Sequence, residues 1–270
     1  MGDFRDRYIV KPGERVDLDE HDPDERWQVD GKKRAKARLK ENRARLAELQ
    51  RILYAESKRS LLVILQAMDA GGKDGTIRHV FGSVNPQGCR VTSFKSPTSE
   101  ELDHDFLWRV HRAAPRKGEI GIFNRSHYED VLIVRVHDLV PKSVWEKRYD
   151  RINEFERLLA ENDTVILKFF LHISKDEQKE RFQERLDRPE KNWKVNPKDF
   201  EERVYWRDYM EAYQEAIERC SQERAPWFVV PANRKWFRNV AVSEIVLETL
   251  EALELSFPEP EYDLTSFRLE

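Results

Sequence analysis

Residues 61–65 read Leu-Leu-Val-Ile-Leu, and Gln66 leads from them into AMDAGGKDGTI at 67–77. A continuous apolar run of this length suits a strand covered on both faces, as in a parallel sheet between helices. The glycines behind it allow a tight turn whose N–H groups can face an anion. Ile77, Val80 and Phe81 then give the following helix an apolar inner face. Strand, glycine turn and helix in this order confine the chain to the α/β class.

The rest of the chain extends that pattern. Residues 89–94, 119–123, 164–171 and 227–230 each read as a further strand, with helical stretches between them. The expected architecture is α/β, three αβα layers around a central parallel five-stranded sheet. Thr98 with Glu101 and Ser174 with Glu177 form capping boxes, and Leu102, Phe106 and Val110 follow the first at helical spacing. Residues 32–58 form a helix with Leu39, Leu46, Leu49 and Leu53 on one face and solvated charge elsewhere. Pro141 opens a long helix to about Ala160, another spans about 200–220, and Val242, Ile245, Val246 and Leu250 mark the last. Residues 1–31, polar and broken by Pro12, Gly13 and Pro23, read as an extended arm. Residues 32–255 read as one domain with a lid at about 180–205, and 256–270 as a surface tail.

Charge narrows the partners. Lys and Arg number 48 against 51 Asp and Glu, a net charge of -3 over 270 residues. Nothing global points to nucleic acid, and a polyanion would need a local basic cleft. Cys89 and Cys220 form no Cys-x-x-Cys pair, so zinc and redox motifs of that kind are absent and a reducing cytoplasm is the simplest compartment. No apolar stretch approaches the ~18 to 20 residues that span a bilayer, so no membrane partner is expected. The first residues lack the apolar core of a secretory signal.

Ala70, Gly71, Gly72, Lys73, Asp74, Gly75 and Thr76 are the candidate phosphate cradle. The helix start favours negative charge, and Lys73 can reach terminal phosphate oxygens. The common pattern Gly-x-x-x-x-Gly-Lys-Ser/Thr fails at Ala67 and at Asp74. Asp69 inside the loop would repel a phosphate unless a cation sat beside it, so it is the candidate to hold Mg2+ or to orient an acceptor phosphate. A capped strand-to-helix turn would explain the glycines but not Lys73.

Residues 120–130, IGIFNRSHYED, put Asn124 and Arg125 at a strand end beside that loop. Arg125 suits the charge of a transferring phosphoryl group. Asn124, Arg125, His127, Glu129 and Asp130 are candidates for the nucleotide side; Glu129 and Asp130 could position metal instead, and His127 is more often a packed or turn histidine than a base, which phosphoryl transfer does not need. Plain turn chemistry and a surface ion pair are the other reading of this segment. Arg181, Arg185, Arg188, Lys191 and Lys194 lie on a helix end and the loop after it. They suit a lid that closes over phosphates, or else a solvated helix end matched to its dipole. Trp193 reads as an anchor of that loop.

Taken in order, MDAGGKDGTI, FNRSHYED and PEKNWKVNPKDF resemble the polyphosphate kinase 2 family over about residues 10–255. The HYED variant looks most like the branch that accepts both AMP and ADP. The resemblance implies a P-loop kinase-like fold with a helical lid, and dependence on Mg2+ with Mn2+ as a substitute. It implies reversible transfer of the terminal phosphoryl group of inorganic polyphosphate to an adenine nucleotide, with guanine the alternative base, by a homo-oligomer (dimer or tetramer). It carries over Asp69, Gly72, Lys73, Gly75, Arg125 and Lys194. Many members have Asp where this chain has Asn124, a weaker metal ligand, so Asp69 becomes the first candidate for the metal.

On that footing polyphosphate is expected along a channel lined by Lys73 and by some of Arg78, Lys95, Arg112, Arg116, Lys117, Arg181 and Arg185. Two rival readings use the same fold: a kinase with ATP as donor, and a nucleotide-dependent switch or polyanion-binding module without turnover. Lys73 and Asp69 favour catalysis over the switch.

Overall fold

Side chains at 60–66 part to the two faces of one sheet in a computed structural model that describes residues 3–264 and 267–268. The strands are β1 (Ile9–Val10), β2 (Ser60–Gln66), β3 (Cys89–Ser93), β4 (Ile120–Asn124), β5 (Thr164–His172) and β6 (Trp227–Pro231). Their order across the sheet is β1-β6-β5-β2-β4-β3. The helices of eight or more described residues are α1 (Lys32–Glu56), α2 (Lys73–Val80), α3 (Arg148–Glu161), α4 (Lys175–Asp187), α5 (Trp206–Cys220) and α6 (Lys235–Glu251).

Every residue of the central strand β2 is buried. Leu61, Val63 and Leu65 pack with Leu53 of α1, Val80 of α2 and Ile245 of α6. Leu62 and Ile64 pack with Ile152 and Phe155 of α3 and Ala216 of α5. That period of two, with helices on both sides, is why the run is apolar throughout.

The five expected strands are parallel neighbours, but the sheet holds a sixth. β1 pairs antiparallel with β6, Ile9 opposite Phe228 and Val10 opposite Trp227. Two residues inside a polar stretch display no period, so sequence pattern could not reveal this strand. The segment 1–31 also holds a helix at Phe4–Tyr8. Tyr8 stands edge-on to Trp27 and to Phe237 of α6.

Three expected helices are broken. The one from Thr98 stops at Leu102 and restarts at Trp108. Between them Asp105 Oδ1 accepts the Leu107 N–H at 2.9 Å, a local bond that competes with helix. The helix expected from Pro141 is Lys142–Trp145 followed by α3. The one from about 200 is Pro197–Glu201, a tighter turn at Glu202–Tyr205, and then α5.

Behind the sheet Lys168 of β5 and Glu156 of α3 form a fully buried ion pair. Tyr128 donates its O–H to Glu156 at 2.9 Å and accepts from Lys168 Nζ at 2.9 Å. Lys168 also reaches the Cys220 carbonyl at 2.6 Å. The network anchors the turn after β4 to the core. Among the described residues no helix is long and apolar enough to cross a membrane.

Candidate active site

β2 and β4 are parallel neighbours with Leu65 opposite Asn124, so the segments that follow them emerge side by side. After β2 the chain turns through 67–72 and enters α2 at Lys73. Gly72 caps that helix at φ 103°, a left-handed conformation that a side chain resists. The Lys73 ammonium turns back to the Ala67 carbonyl at 2.7 Å.

Three side chains hold this loop from outside. Gln178 Nε2 donates to the Asp69 carbonyl at 2.9 Å, and Arg181 Nη1 to the Ala70 carbonyl at 2.8 Å. Arg238 Nη1 reaches the Gly71 carbonyl at 3.4 Å. In a trans peptide the C=O and the next N–H point in opposite directions. Outward carbonyls at 69, 70 and 71 therefore turn the N–H groups of Ala70, Gly71 and Gly72 the other way. That of Gly71 closes the turn on Met68 O at 2.9 Å. Those of Ala70 and Gly72 turn away from these three side chains, the disposition an anion cradle needs.

After β4 the Arg125 N–H continues the sheet to the Leu65 carbonyl at 3.1 Å. Its backbone then takes φ 62°, uncommon away from glycine, which throws the side chain across the loop. Arg125 Nη2 meets Asp69 Oδ1 at 2.9 Å, and Asn124 Nδ2 meets Asp74 Oδ1 at 2.7 Å. Two side-chain bonds thus join the two motifs.

Charge in the cleft follows from that closeness. Burial, and then Arg125, pull the Lys73 ammonium down to about 8, against Asp69, Glu129 and Asp74. Burial also works against the Arg125 charge, but Glu129 and Asp69 outweigh it and raise its pKa. Asp69, Asp74 and Glu129 therefore all act on one small volume. Mg2+ at phosphoryl-transfer sites takes one or two carboxylates plus substrate oxygens. The side chains beside Lys73 fit that donor set without a dedicated cage, and among the described residues there is no cluster of three or more metal-binding side chains.

Several expected contacts are redirected. His127, expected on the nucleotide side, is fully buried with Nε2 on Glu156 at 3.2 Å, so it faces the core. Asp130 receives Arg148 at 2.8 Å, and burial pushes its carboxyl up to about 6 despite Arg148 and Arg109. Thr76 is buried and gives both its donors to the Gly72 carbonyl. Arg181 is 6% exposed and is committed to Glu177, Ala70, Ala232 and Asn233, which makes it a clamp on the loop and not a free cation for polyphosphate. Arg116 and Lys117 precede β4, and Lys117 pairs at 2.8 Å with Asp163 just ahead of β5. They belong to the amino ends of the strands, opposite the loop.

Other expected cations stay at the surface. Arg78, Lys95 and Lys194 are exposed. Arg185 binds Asp199 at 3.1 Å and ties the end of α4 to the helix Pro197–Glu201. Trp193, expected as an anchor, is 78% exposed and donates Nε1 to the Glu190 carbonyl at 3.1 Å. Gln178 and Arg238 escaped sequence reading. For Arg238 a signal existed: it sits between Phe237 and Val240 in an apolar helix stretch, where a lone arginine must find a buried partner. Burial, and then neighbouring Arg181, pull its guanidinium down to about 9.

Known proteins are similar to this chain in sequence and overall fold. The family model described as Polyphosphate kinase 2 (PPK2) matches residues 29–258. An AMP/ADP-polyphosphate phosphotransferase from Meiothermus ruber is 58% identical over 257 residues, 94% of this chain and 96% of the relative. An ADP-polyphosphate phosphotransferase from Rhodopseudomonas palustris is 48% identical, over 94% of this chain and 92% of its own. A crystal structure of polyphosphate kinase 2 from Arthrobacter aurescens superposes with a TM-score of 0.95 at 46% identity, covering 98% of this chain and 95% of that one. With a family match over residues 29–258 and relatives alike over nearly their whole length, the chain belongs to the polyphosphate kinase 2 family.

Proposed function

We propose that the chain moves the terminal phosphoryl group of inorganic polyphosphate onto AMP or ADP, giving ADP or ATP. The observation that carries this reading is the Arg125–Asp69 contact inside a phosphate loop that has Asp74 where ATP-binding loops have a hydroxyl. A loop carrying its own paired acid suits the meeting of two phosphate chains better than the grip on one nucleotide. The names of the Meiothermus and Rhodopseudomonas relatives support the same donor and acceptors.

An acceptor phosphate oxygen attacks the terminal phosphorus in line, and the bond to the shortened polyphosphate breaks as the new one forms. The N–H groups of Ala70 and Gly72 and the Lys73 ammonium bind non-bridging oxygens. Arg125 swings its free donors onto the group in transit while keeping Asp69 neutralised. The lid, at about 180–205, closes with Arg185 and Lys194 and excludes water. Asp69 would hold a divalent cation, Mg2+ or Mn2+, whose charge screens the phosphate oxygens from one another. One phosphoanhydride replaces another, so the reaction runs both ways. The reading also takes the chain as a homo-oligomer of the cytoplasm, which the two unpaired cysteines suit.

Incubation with short polyphosphate, Mg2+ and either AMP or ADP tests it. ADP and ATP are the expected products, and no product from either acceptor would overturn the proposal. Product with ATP as the sole effective donor would assign an ordinary nucleotide kinase.

A further inference from the structure

Arg238 is 2% exposed, and among the described residues it has no ion pair. Its Nε and Nη2 bond to Asn239 Oδ1 at 3.2 and 2.8 Å, and Nη1 approaches the Gly71 carbonyl at 3.4 Å. A buried guanidinium with only neutral acceptors is costly. Arg181 beside it has the carboxylate of Glu177, so two buried positive charges share one negative charge.

The guanidinium lies against the backbone of the loop at Gly72 and Gly75. A Cβ on Gly72 would stand 1.8 Å from Nη1, and one on Gly75 3.0 Å from Nη2. Both glycines therefore answer to two faces, the cradle within and the arginine behind. Only a layer of bare backbone separates this charge from the cradle, and charge in such a setting is weakly screened.

Resting on the polyphosphate-transfer reading, we propose that Arg238 is a positioning residue for the donor phosphate. It grips the loop from behind, holds the 71–72 peptide with the Gly72 N–H facing the cradle, and lends the cradle a positive charge that a bound phosphate answers. Arg181 shares the grip but brings its own counter-ion, so the net charge comes from Arg238.

The test uses the full chain, with tripolyphosphate as donor and AMP as acceptor, and thermal unfolding with and without tripolyphosphate. Arg238→Met is expected to raise KM for tripolyphosphate at least about tenfold while KM for AMP stays within about twofold. It should also lose the rise in Tm that tripolyphosphate gives the wild type. Arg238→Lys keeps the charge without the planar fork and should recover part of that rise. Equal movement of both KM values, or an unchanged response to tripolyphosphate, overturns the proposal. Should Arg238→Met fail to fold, Gly75→Ala keeps the arginine and crowds Nη2. The same selective rise in KM is expected there, and a wild-type KM overturns the proposal. A wild type stabilised by tripolyphosphate that makes no ADP would overturn the transfer reading alone, because Tm registers the cradle without turnover.

Discussion

Arg125 Nη2 lies 2.9 Å from Asp69 Oδ1, across the gap between the ends of β4 and β2. The contact explains how an acid survives in a loop shaped for anions: the neighbouring strand delivers its counter-charge. Both side chains keep a solvent-facing part, 39% exposed for Arg125 and 25% for Asp69, so each retains atoms for a ligand.

Removing either partner should therefore be unequal. Arg125→Ala leaves the Asp69 charge facing the incoming phosphate and removes a donor to the group in transit, so kcat should fall by roughly 10³ or more. Asp69→Asn should lower kcat by about 10² at saturating Mg2+. Initial rates of ADP formation from polyphosphate and AMP measure both. A near-normal Asp69→Asn rate would move the metal role to Glu129.

Lys73→Ala should abolish measurable transfer and leave the fold intact, since among the described residues the ammonium bonds only the Ala67 carbonyl. Stability should change by no more than about 1 kcal/mol, the usual worth of one such bond. Denaturant unfolding beside the activity assay separates the two effects. Retained turnover would remove the loop from the mechanism.

Arg185 at the end of α4 pairs with Asp199 of the helix Pro197–Glu201 and so braces the segment between them. Asp199→Ala should release the segment 188–196, which limited proteolysis would register as cutting there several-fold faster than in the wild type. Cutting at the wild-type rate would show that other contacts hold this segment.

Lys168→Met strips the buried Glu156 carboxylate of its main partner and should cost about 3–5 kcal/mol in unfolding free energy. Adding Glu156→Leu should restore most of that loss, because an uncompensated charge is removed with it. A double variant no better than the single one would show that Tyr128 and His127 need the carboxylate as much as the lysine does.

His172, at the end of β5, is held neutral: burial, and then the nearby His21, pull its pKa from 6.5 to about 4, against Asp19. As pH falls, the unfolded chain takes up this proton before the folded one. The stability that neutral His172 confers is whole above about pH 6.5 and drains away as pH falls towards 4, by up to about 3 kcal/mol. The Tm of wild type relative to His172→Gln should thus drop between pH 7 and pH 4.5. Parallel curves would contradict it.

The central strand, the glycine loop and the second motif were legible because each is local. An unbroken apolar run, a Gly-Gly-Lys turn and an Asn-Arg pair after a strand announce themselves within about ten residues. His127 and Arg181 are of types that suit a cleft and a core alike, and packing puts one against Glu156 and the other beneath the loop. Gln178 and Arg238 were invisible for the complementary reason. Their partner, the loop backbone, lies more than a hundred residues away in sequence, and carbonyls leave no trace in residue type. β1 was missed because two residues carry no period.

That short strand has a further consequence. β6 reads Trp-Phe-Val-Val-Pro, all buried and without a charge, the composition that recruits a foreign strand when its edge is bare. Ile9 and Val10 cover that edge. At the far side, β3 presents Arg90, which reaches the Ala113 and Ala114 carbonyls and leaves a short, charged margin. Clipping the chain after residue 10 should then show first as self-association and loss from solution, with the transfer machinery on β2 and β4 still in place.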